Sequence, residues 1–398
     1  MGTRKALDGN AAIAYGVMRS QVQLVAAYPI TPQTPIVETI SSLIDTGQYD
    51  ASYITVESEH SALSALIGAA SAGVRTFTAS ASHGLALMHE VTGVASASRL
   101  PIVMAVVSRA IPGPMCLWCD HSDIMTQRDQ GWIQLFAQSP QEALDFVMIA
   151  YRTGEDPRVL TPVMVDIDGF FCSHLTEPVE VPSPEEAGEF IGGFQPVNAC
   201  LDPALPYAID NLTSPEIFTE LKRAQDLGMR AAAGVLDERF AQFGQLFGRR
   251  YGRILCEGME DAQTAIVCMG SMAGTVRHVV RQLRQAGQRV GLVRVVAFRP
   301  FPTAEVAQAL RGVRQVAVID RVSAMGSFGP LYEEVLAAMK LDGNRNCAYS
   351  FVAGLGGRDI WEGTVEAVFR RAQALGEQNA PCREPIWIDL KEGGVGNG

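Results

Sequence analysis

Three short segments place chemistry-bearing side chains directly after apolar, β-branched runs. The first is Tyr28-Pro29-Ile30-Thr31-Pro32-Gln33-Thr34-Pro35, which follows residues 22–27. Its prolines fix φ at their own positions and turn the preceding residues away from helix. A threonine hydroxyl held in so stiff a loop loses little entropy on hydrogen-bonding a ligand. The same features also fit a rigid turn with Pro35 opening the next helix. The second segment is Val56-Glu57-Ser58-Glu59-His60, after residues 52–56. Glu59 falls at the start of a helix rich in Ala, Ser and Gly. A carboxylate there is favoured by the helix dipole, so helix-end decoration is one reading. Because the helix is apolar, Glu59 is also expected to be poorly solvated and in need of a partner. Glu57 and His60 read as structural, since no second histidine stands at metal-ligand spacing. The third segment, Ser108-Arg109-Ala110, ends the run 102–107. An arginine just past a buried strand can clamp a carboxylate bidentately or close a structural salt bridge.

Other segments carry weaker signals. The loop Ile111-Pro112-Gly113-Pro114-Met115-Cys116-Leu117-Trp118-Cys119-Asp120-His121-Ser122-Asp123 mixes apolar bulk with acids and reads as a pocket wall. Its Asp120, His121 and Asp123 are thin material for a metal site, and loop hydrogen bonding is favoured. Cys116 and Cys119 form a lone C-x-x-C among eight cysteines, with neither the count nor the spacing of a disulfide framework or an iron–sulfur site. Gly270-Ser271-Met272-Ala273-Gly274 opens a helix after a strand but is not G-x-G-x-x-G, so a structural turn is expected. Gly354 to Gly357 reads as a tight turn at a strand end.

The elements that position these residues are legible as alternation. Residues 22–27, 52–56, 74–79, 102–107 and 162–167 read as short buried strands. Residues 10–19, 35–44, 59–72, 85–97 and 141–151 between them read as helices. That order argues a parallel sheet covered on both faces, whose carboxyl edge is where ligands bind. Prolines at 178, 182, 184, 196, 203 and 206 interrupt the pattern, and polar helices are expected around 215–228 and 232–251. Alternation resumes from Asp261, giving three ranges: 1–175, a crossover at 176–260, and a second α/β domain at 261–398.

Composition excludes several classes. The 398 residues are 47% apolar and 19% charged, which fits a folded chain with a large core. A net charge of −11 argues against a nucleic-acid-binding surface. With no apolar run long enough to span a bilayer and no signal-peptide pattern, a cytoplasmic protein is expected.

Taken together, Tyr28-Pro29-Ile30-Thr31-Pro32, Val56-Glu57-Ser58-Glu59-His60-Ser61-Ala62, Arg109-Ala110 and Asp120-His121-Ser122-Asp123 resemble the alpha subunit of 2-oxoacid:ferredoxin oxidoreductases, the pyruvate:ferredoxin oxidoreductase family. Arg299-Pro300-Phe301-Pro302, Asp320-Arg321 and Gly354-Leu355-Gly356-Gly357-Arg358-Asp359 look like that family's second domain. The resemblance runs from about residue 7 to 375. It implies an α/β chain with a pyrimidine-type thiamine diphosphate-binding parallel-sheet domain, followed by a smaller transketolase C-terminal-like domain. The implied activity is oxidative decarboxylation of a 2-oxo acid to an acyl-coenzyme A and carbon dioxide. By the resemblance, Glu59 addresses the cofactor's aminopyrimidine, with Tyr28 and Pro29 also on the cofactor. Thr31, Arg109 and Ile30 are assigned to the substrate.

The Asp-Gly pairs at Asp8, Asp168 and Asp342 each lack the preceding Gly of the diphosphate-binding Gly-Asp-Gly motif. Half an active site is therefore expected here. The implied partners are a beta subunit holding the diphosphate and Mg²⁺, a gamma subunit and a ferredoxin-like delta subunit with [4Fe-4S] clusters. Coenzyme A is the implied co-substrate. The substrate is open among pyruvate, 2-oxoisovalerate and bulkier acids such as phenylglyoxylate. Two other readings stand beside this one: the beta subunit of a 2-oxo acid dehydrogenase first component, and a non-catalytic assembly subunit.

Overall fold

The computed structural model describes residues 2–197, 203, 204, 206 and 208–391; Cys200 and residues 392–398 lie outside the described residues. The chain begins β1 (Thr3–Leu7), α1 (Gly9–Arg19), β2 (Leu24–Ala26), α2 (Thr34–Asp45), β3 (Ser52–Ile54) and α3 (Glu59–Ser71). It continues through β4 (Thr76–Ser80), α4 (Ser82–Leu87), α5 (His89–Ala97), β5 (Val103–Ser108) and α6 (Ser122–Thr126). Next come β6 (Ile133–Phe136), α7 (Pro140–Gly154), β7 (Val163–Asp168), β8 (Glu177–Val181), α8 (Pro184–Ile191) and α9 (Pro215–Phe247). The second unit holds β9 (Ile254–Glu257), β10 (Thr264–Cys268), α10 (Met272–Gln285), β11 (Val290–Val295), β12 (Ala297–Arg299) and α11 (Thr303–Ala309). It closes with β13 (Gln315–Asp320), α12 (Pro330–Leu341), β14 (Cys347–Val352), α13 (Glu362–Glu377) and β15 (Ile386–Trp387).

The first sheet has the order β12-β6-β7-β5-β4-β2-β3, parallel throughout except for β12. Its central strands β4, β5 and β7 are buried at every position because both faces are covered, and β5, Val-Met-Ala-Val-Val-Ser, is apolar up to its last residue. On one face α1, α2 and α7 meet around Ile13, Val17, Ile40 and Val147. On the other face the cluster holding Leu63, Leu66 and Met104 runs on into Val267, Val293 and Val318 of the second sheet. That sheet is β15-β14-β13-β10-β11-β9.

Two features weld the units together. β12 leaves the second unit and pairs antiparallel with β6, Ala297 opposite Leu135, so it becomes an edge of the first sheet. Beside it, fully buried Arg294 on β11 forks onto Glu142 of α7 and donates to the Phe136 carbonyl at 3.0 Å. Removing one partner of such a pair would strand a buried charge.

The structure adds elements that periodicity did not reveal. β1 and β8 form a separate antiparallel pair, and β6 contributes a strand between β7 and β12. Where two polar helices were expected near 215–228 and 232–251, α9 runs unbroken from Pro215 to Phe247. The Arg-Ala-Ala-Ala-Gly stretch at 230–234 is dominated by strong helix formers and continues the helix. Val235, Leu236, Phe240 and Phe243 are buried in the core shared with α7, each worth about 1.5–3 kcal/mol. Among the described residues no helix is long and apolar enough to cross a membrane.

Candidate active site at the carboxyl edge of the first sheet

Parallel strands send their following loops to one edge. Thr31 follows β2, Glu59 follows β3, Ser80 ends β4 and Arg109 follows β5. The order β5-β4-β2-β3 puts these four loops side by side.

The loop 28–35 is held from beneath. Gln33, fully buried, donates from Nε2 to the Ala79 carbonyl at 2.8 Å, and Asn10 Nδ2 donates to the Pro32 carbonyl at 3.1 Å. Ile30 is buried, whereas Tyr28, Pro29 and Thr31 are exposed at the edge. Gly169 gives this loop its space, since a Cβ there would press on the Pro32 ring and the Ser108 carbonyl.

Arg109 reaches the same loop. Nη1 donates to the Thr31 carbonyl at 3.0 Å, Nε to the Cys116 carbonyl at 3.1 Å, and Nη2 contacts Met115 Sδ at 3.2 Å. The residue is 3% exposed, and among the described residues no carboxylate pairs with its guanidinium. Desolvation by burial lowers its pKa, with weaker opposing influences from Cys116 and Asp123. A guanidinium has five N–H donors. Three are used, which leaves one on each Nη nitrogen, the pair that a carboxylate takes bidentately. The structural salt bridge that the sequence left open is not formed among the described residues.

Glu59 lies at the first turn of α3, where Ser58 caps the helix by accepting from Ser61 N at 3.1 Å. Glu57 bonds the Ser61 hydroxyl, and half-exposed His60 pairs with Glu90 at 3.7 Å, so both are helix-end structure. Glu59 itself is 7% exposed, and among the described residues its carboxylate accepts no hydrogen bond. It lies against Gly84 of α4, where a Cβ would run into the carboxylate and the Ser80 hydroxyl. That hydroxyl is buried and without a hydrogen-bond partner among the described residues. A bare carboxylate, an unsatisfied hydroxyl and a glycine with no room for a side chain form a polar cradle that fits a heteroaromatic amine. Sequence reading missed Ser80 and Gly84; the small residues Ala79-Ser80-Ala81-Ser82 after a buried strand were the available signal.

The segment 120–123 turns inward. Ser122 N donates to Asp120 at 2.9 Å, which is loop hydrogen bonding as expected. His121 and Asp168, both fully buried, meet at 2.7 Å. Asp168 also accepts Arg321 Nη1 at 2.7 Å and Ser271 N at 2.9 Å, so it joins the two units. Burial works to raise the Asp168 carboxyl, but the charges of Arg321 and His121 outweigh it and hold it well below the usual range. Burial likewise opposes charge on His121, and Asp168 reverses the sign, so the imidazole pKa is raised. Cys119, His121 and Asp168 stand close enough to hold an ion, yet the Arg321 guanidinium already supplies the cation there. Burial pushes the Cys119 thiol up, away from thiolate chemistry.

Comparison with known proteins agrees with this architecture. The family model "Pyruvate flavodoxin/ferredoxin oxidoreductase, thiamine diP-bdg" matches residues 15–240. "Pyruvate:ferredoxin oxidoreductase core domain II" matches residues 262–365. The chain is 41% identical over 392 residues to the pyruvate synthase subunit PorA of Pyrococcus abyssi, covering 98% of this chain and 99% of that one. It is 43% identical over 369 residues to PorA of Thermotoga maritima, covering 93% and 94%. Identity to the ketoisovalerate oxidoreductase subunit VorA of Pyrococcus abyssi is 39% over 389 residues, covering 98% of each. Among solved structures, a 2-oxoglutarate:ferredoxin oxidoreductase from Magnetococcus marinus shares the fold at a TM-score of 0.73 and 20% identity. That alignment covers 94% of this chain and 65% of the other. The chain belongs to the pyruvate flavodoxin/ferredoxin oxidoreductase family, and its first sheet is that family's thiamine diphosphate-binding domain.

Proposed function

We propose that this chain is the alpha subunit of a thiamine diphosphate-dependent 2-oxo acid oxidoreductase that forms an acyl-coenzyme A and carbon dioxide. The observation that carries the reading is Arg109: a buried cation with no anion of its own among the described residues, two N–H donors left over, and a direct bond to the Thr31 loop. Burying a charge without a partner is costly, so such a group is retained where a ligand supplies the partner. A 2-oxo acid brings a carboxylate of the right shape.

Thiamine diphosphate, when bound, supplies a nucleophilic carbon and an electron sink for loss of carbon dioxide. Glu59 would hold it at the aminopyrimidine, sharing a proton between its carboxylate and N1′, with Ser80 and Gly84 shaping the cradle and Tyr28 and Pro29 at its rim. Arg109 would orient the substrate carboxylate, a positioning role that makes productive geometry frequent. The Thr31 hydroxyl would address the 2-oxo group, and Ile30 the apolar side of the pocket. We assign the pyrimidine-type half-site to residues 1–175, a crossover to 176–260 and the transketolase C-terminal-like unit to 261–398.

We assign the diphosphate and Mg²⁺ to a beta subunit, a reading that the missing Gly-Asp-Gly motif supports. Gamma and ferredoxin-like delta subunits with [4Fe-4S] clusters would complete a cytoplasmic complex with no role for nucleic acid. Relatives named for pyruvate and for ketoisovalerate stand almost equally near, which supports a small or branched aliphatic acid. The test is anaerobic dye reduction by the purified complex with pyruvate, 2-oxoisovalerate, 2-oxoglutarate and phenylglyoxylate, with and without coenzyme A. Coenzyme A-dependent reduction with an aliphatic acid is expected. Transfer of the acyl group to lipoamide instead would overturn the reading.

A further inference from the structure

We infer that Asp123 is a positioning residue that sets the cofactor cradle and the Arg109 hook in register; this rests on the function proposed above. Asp123 is fully buried, and its carboxylate gathers three backbone N–H groups. Oδ2 accepts the backbone N–H of Arg109 at 3.0 Å and that of Ser82 at 2.8 Å. Oδ1 accepts Ile124 N at 2.8 Å and lies 3.1 Å from the Ser108 hydroxyl, whose single proton goes to the nearer Asp166 Oδ1 at 2.5 Å. One oxygen therefore ties together the two loops that matter. Arg109 carries the guanidinium, and Ser82 opens α4, the helix whose Gly84 lies against Glu59.

Ser82 needs this restraint. Its φ is +51°, the left-handed region that side-chain-bearing residues seldom occupy. Besides the bond to Asp123, its hydroxyl donates to the Ala110 carbonyl at 2.7 Å, so both ties run from α4 to the Arg109 loop and its support. Backbone strain over-determined in this way clusters at sites where geometry is part of the work. Asp123 touches no proposed ligand group directly; it acts through the backbone of residues that do. Asparagine in its place keeps the volume but turns one acceptor oxygen into an NH₂ facing N–H donors.

The test uses the assembled complex in three forms: wild type, Asp123→Asn, and Asp145→Asn as a control. Asp145 is a buried carboxylate of α7, bonded to Arg249 and Tyr251 just past α9, and α7 packs in the core cluster separate from the one that holds α3 of the cradle. Complex stripped of cofactor is titrated calorimetrically with thiamine diphosphate, and cofactor-loaded complex with oxamate as a 2-oxo acid mimic. Both dissociation constants should rise at least fivefold in Asp123→Asn and stay within twofold in Asp145→Asn. If either constant is unchanged in assembled Asp123→Asn, the shared-anchor role is refuted, whatever happens to thermal stability. Should that variant fail to assemble, Asp123→Glu decides, because it keeps both acceptor oxygens but displaces them from the Arg109 and Ser82 amides by one methylene. A smaller rise in both constants supports the role, and no change refutes it. Wild-type complex that binds neither probe would overturn the proposed function itself, and this inference with it.

Discussion

Arg109 Nη1 donates to the Thr31 carbonyl at 3.0 Å, joining residues 78 positions apart in sequence across the ends of β2 and β5, which β4 separates. The contact aligns a buried cation with the exposed rim of a stiff loop. It also leaves the outer N–H groups of the guanidinium free for a ligand. Arg109→Lys keeps the charge but loses the fork. It should raise KM and lower kcat together, at a cost of about 2–4 kcal/mol in transition-state stabilisation, while the melting temperature changes little. Steady-state kinetics beside a melting curve checks this; loss of stability alone would mark Arg109 as structural.

Glu59→Gln preserves shape and removes a buried charge that has no partner within the described chain. Turnover should fall to background, while the complex assembles and melts at the same temperature or higher. Gel filtration and scanning calorimetry on the variant complex are the checks.

Gly84→Ala should act through the same group without altering its chemistry. The added Cβ runs into the Glu59 carboxylate and the Ser80 hydroxyl. Thiamine diphosphate affinity is expected to drop by at least tenfold, roughly 1.4 kcal/mol, as read by titration. Unchanged affinity would remove Glu59 from the cofactor cradle.

These positions differ in how visible they were in the sequence. Thr31, Glu59 and Arg109 stood out because each ends a short apolar run, and a parallel sheet gathers such ends at one edge. Arg321 stood in a pair matched to the family's second domain, whereas Asp168 stood only in an Asp-Gly pair that lacks its motif, and their bond crosses between units, which local periodicity cannot encode. Ser80 and Gly84 were hidden because small residues carry no chemical label; only the contact with Glu59 gives them meaning. α9 was split in two by its polar surface, since half of a long helix lies exposed and masks the apolar stripe through Val235, Leu236 and Phe243.

The latch between the units should respond to pH. Asp168 raises the His121 pKa above its ordinary value. The stability that His121 contributes is therefore full below about pH 6.5 and is lost as pH rises through its higher folded value. His121→Gln should flatten the decline of melting temperature on the alkaline side of pH 6.5. Parallel melting curves for wild type and variant would exclude His121 as the titrating group.

The central claim is that this chain supplies the cofactor-activating half of a 2-oxo acid oxidoreductase. It is tested most directly by following carbon dioxide release from a carboxyl-labelled 2-oxo acid together with anaerobic viologen reduction, in wild-type and Glu59→Gln complexes. Wild type should release one labelled carbon dioxide for each pair of viologens reduced, only with coenzyme A present, and Glu59→Gln should do neither. Dye reduction without labelled carbon dioxide, or a Glu59→Gln complex working at the wild-type rate, would contradict the account.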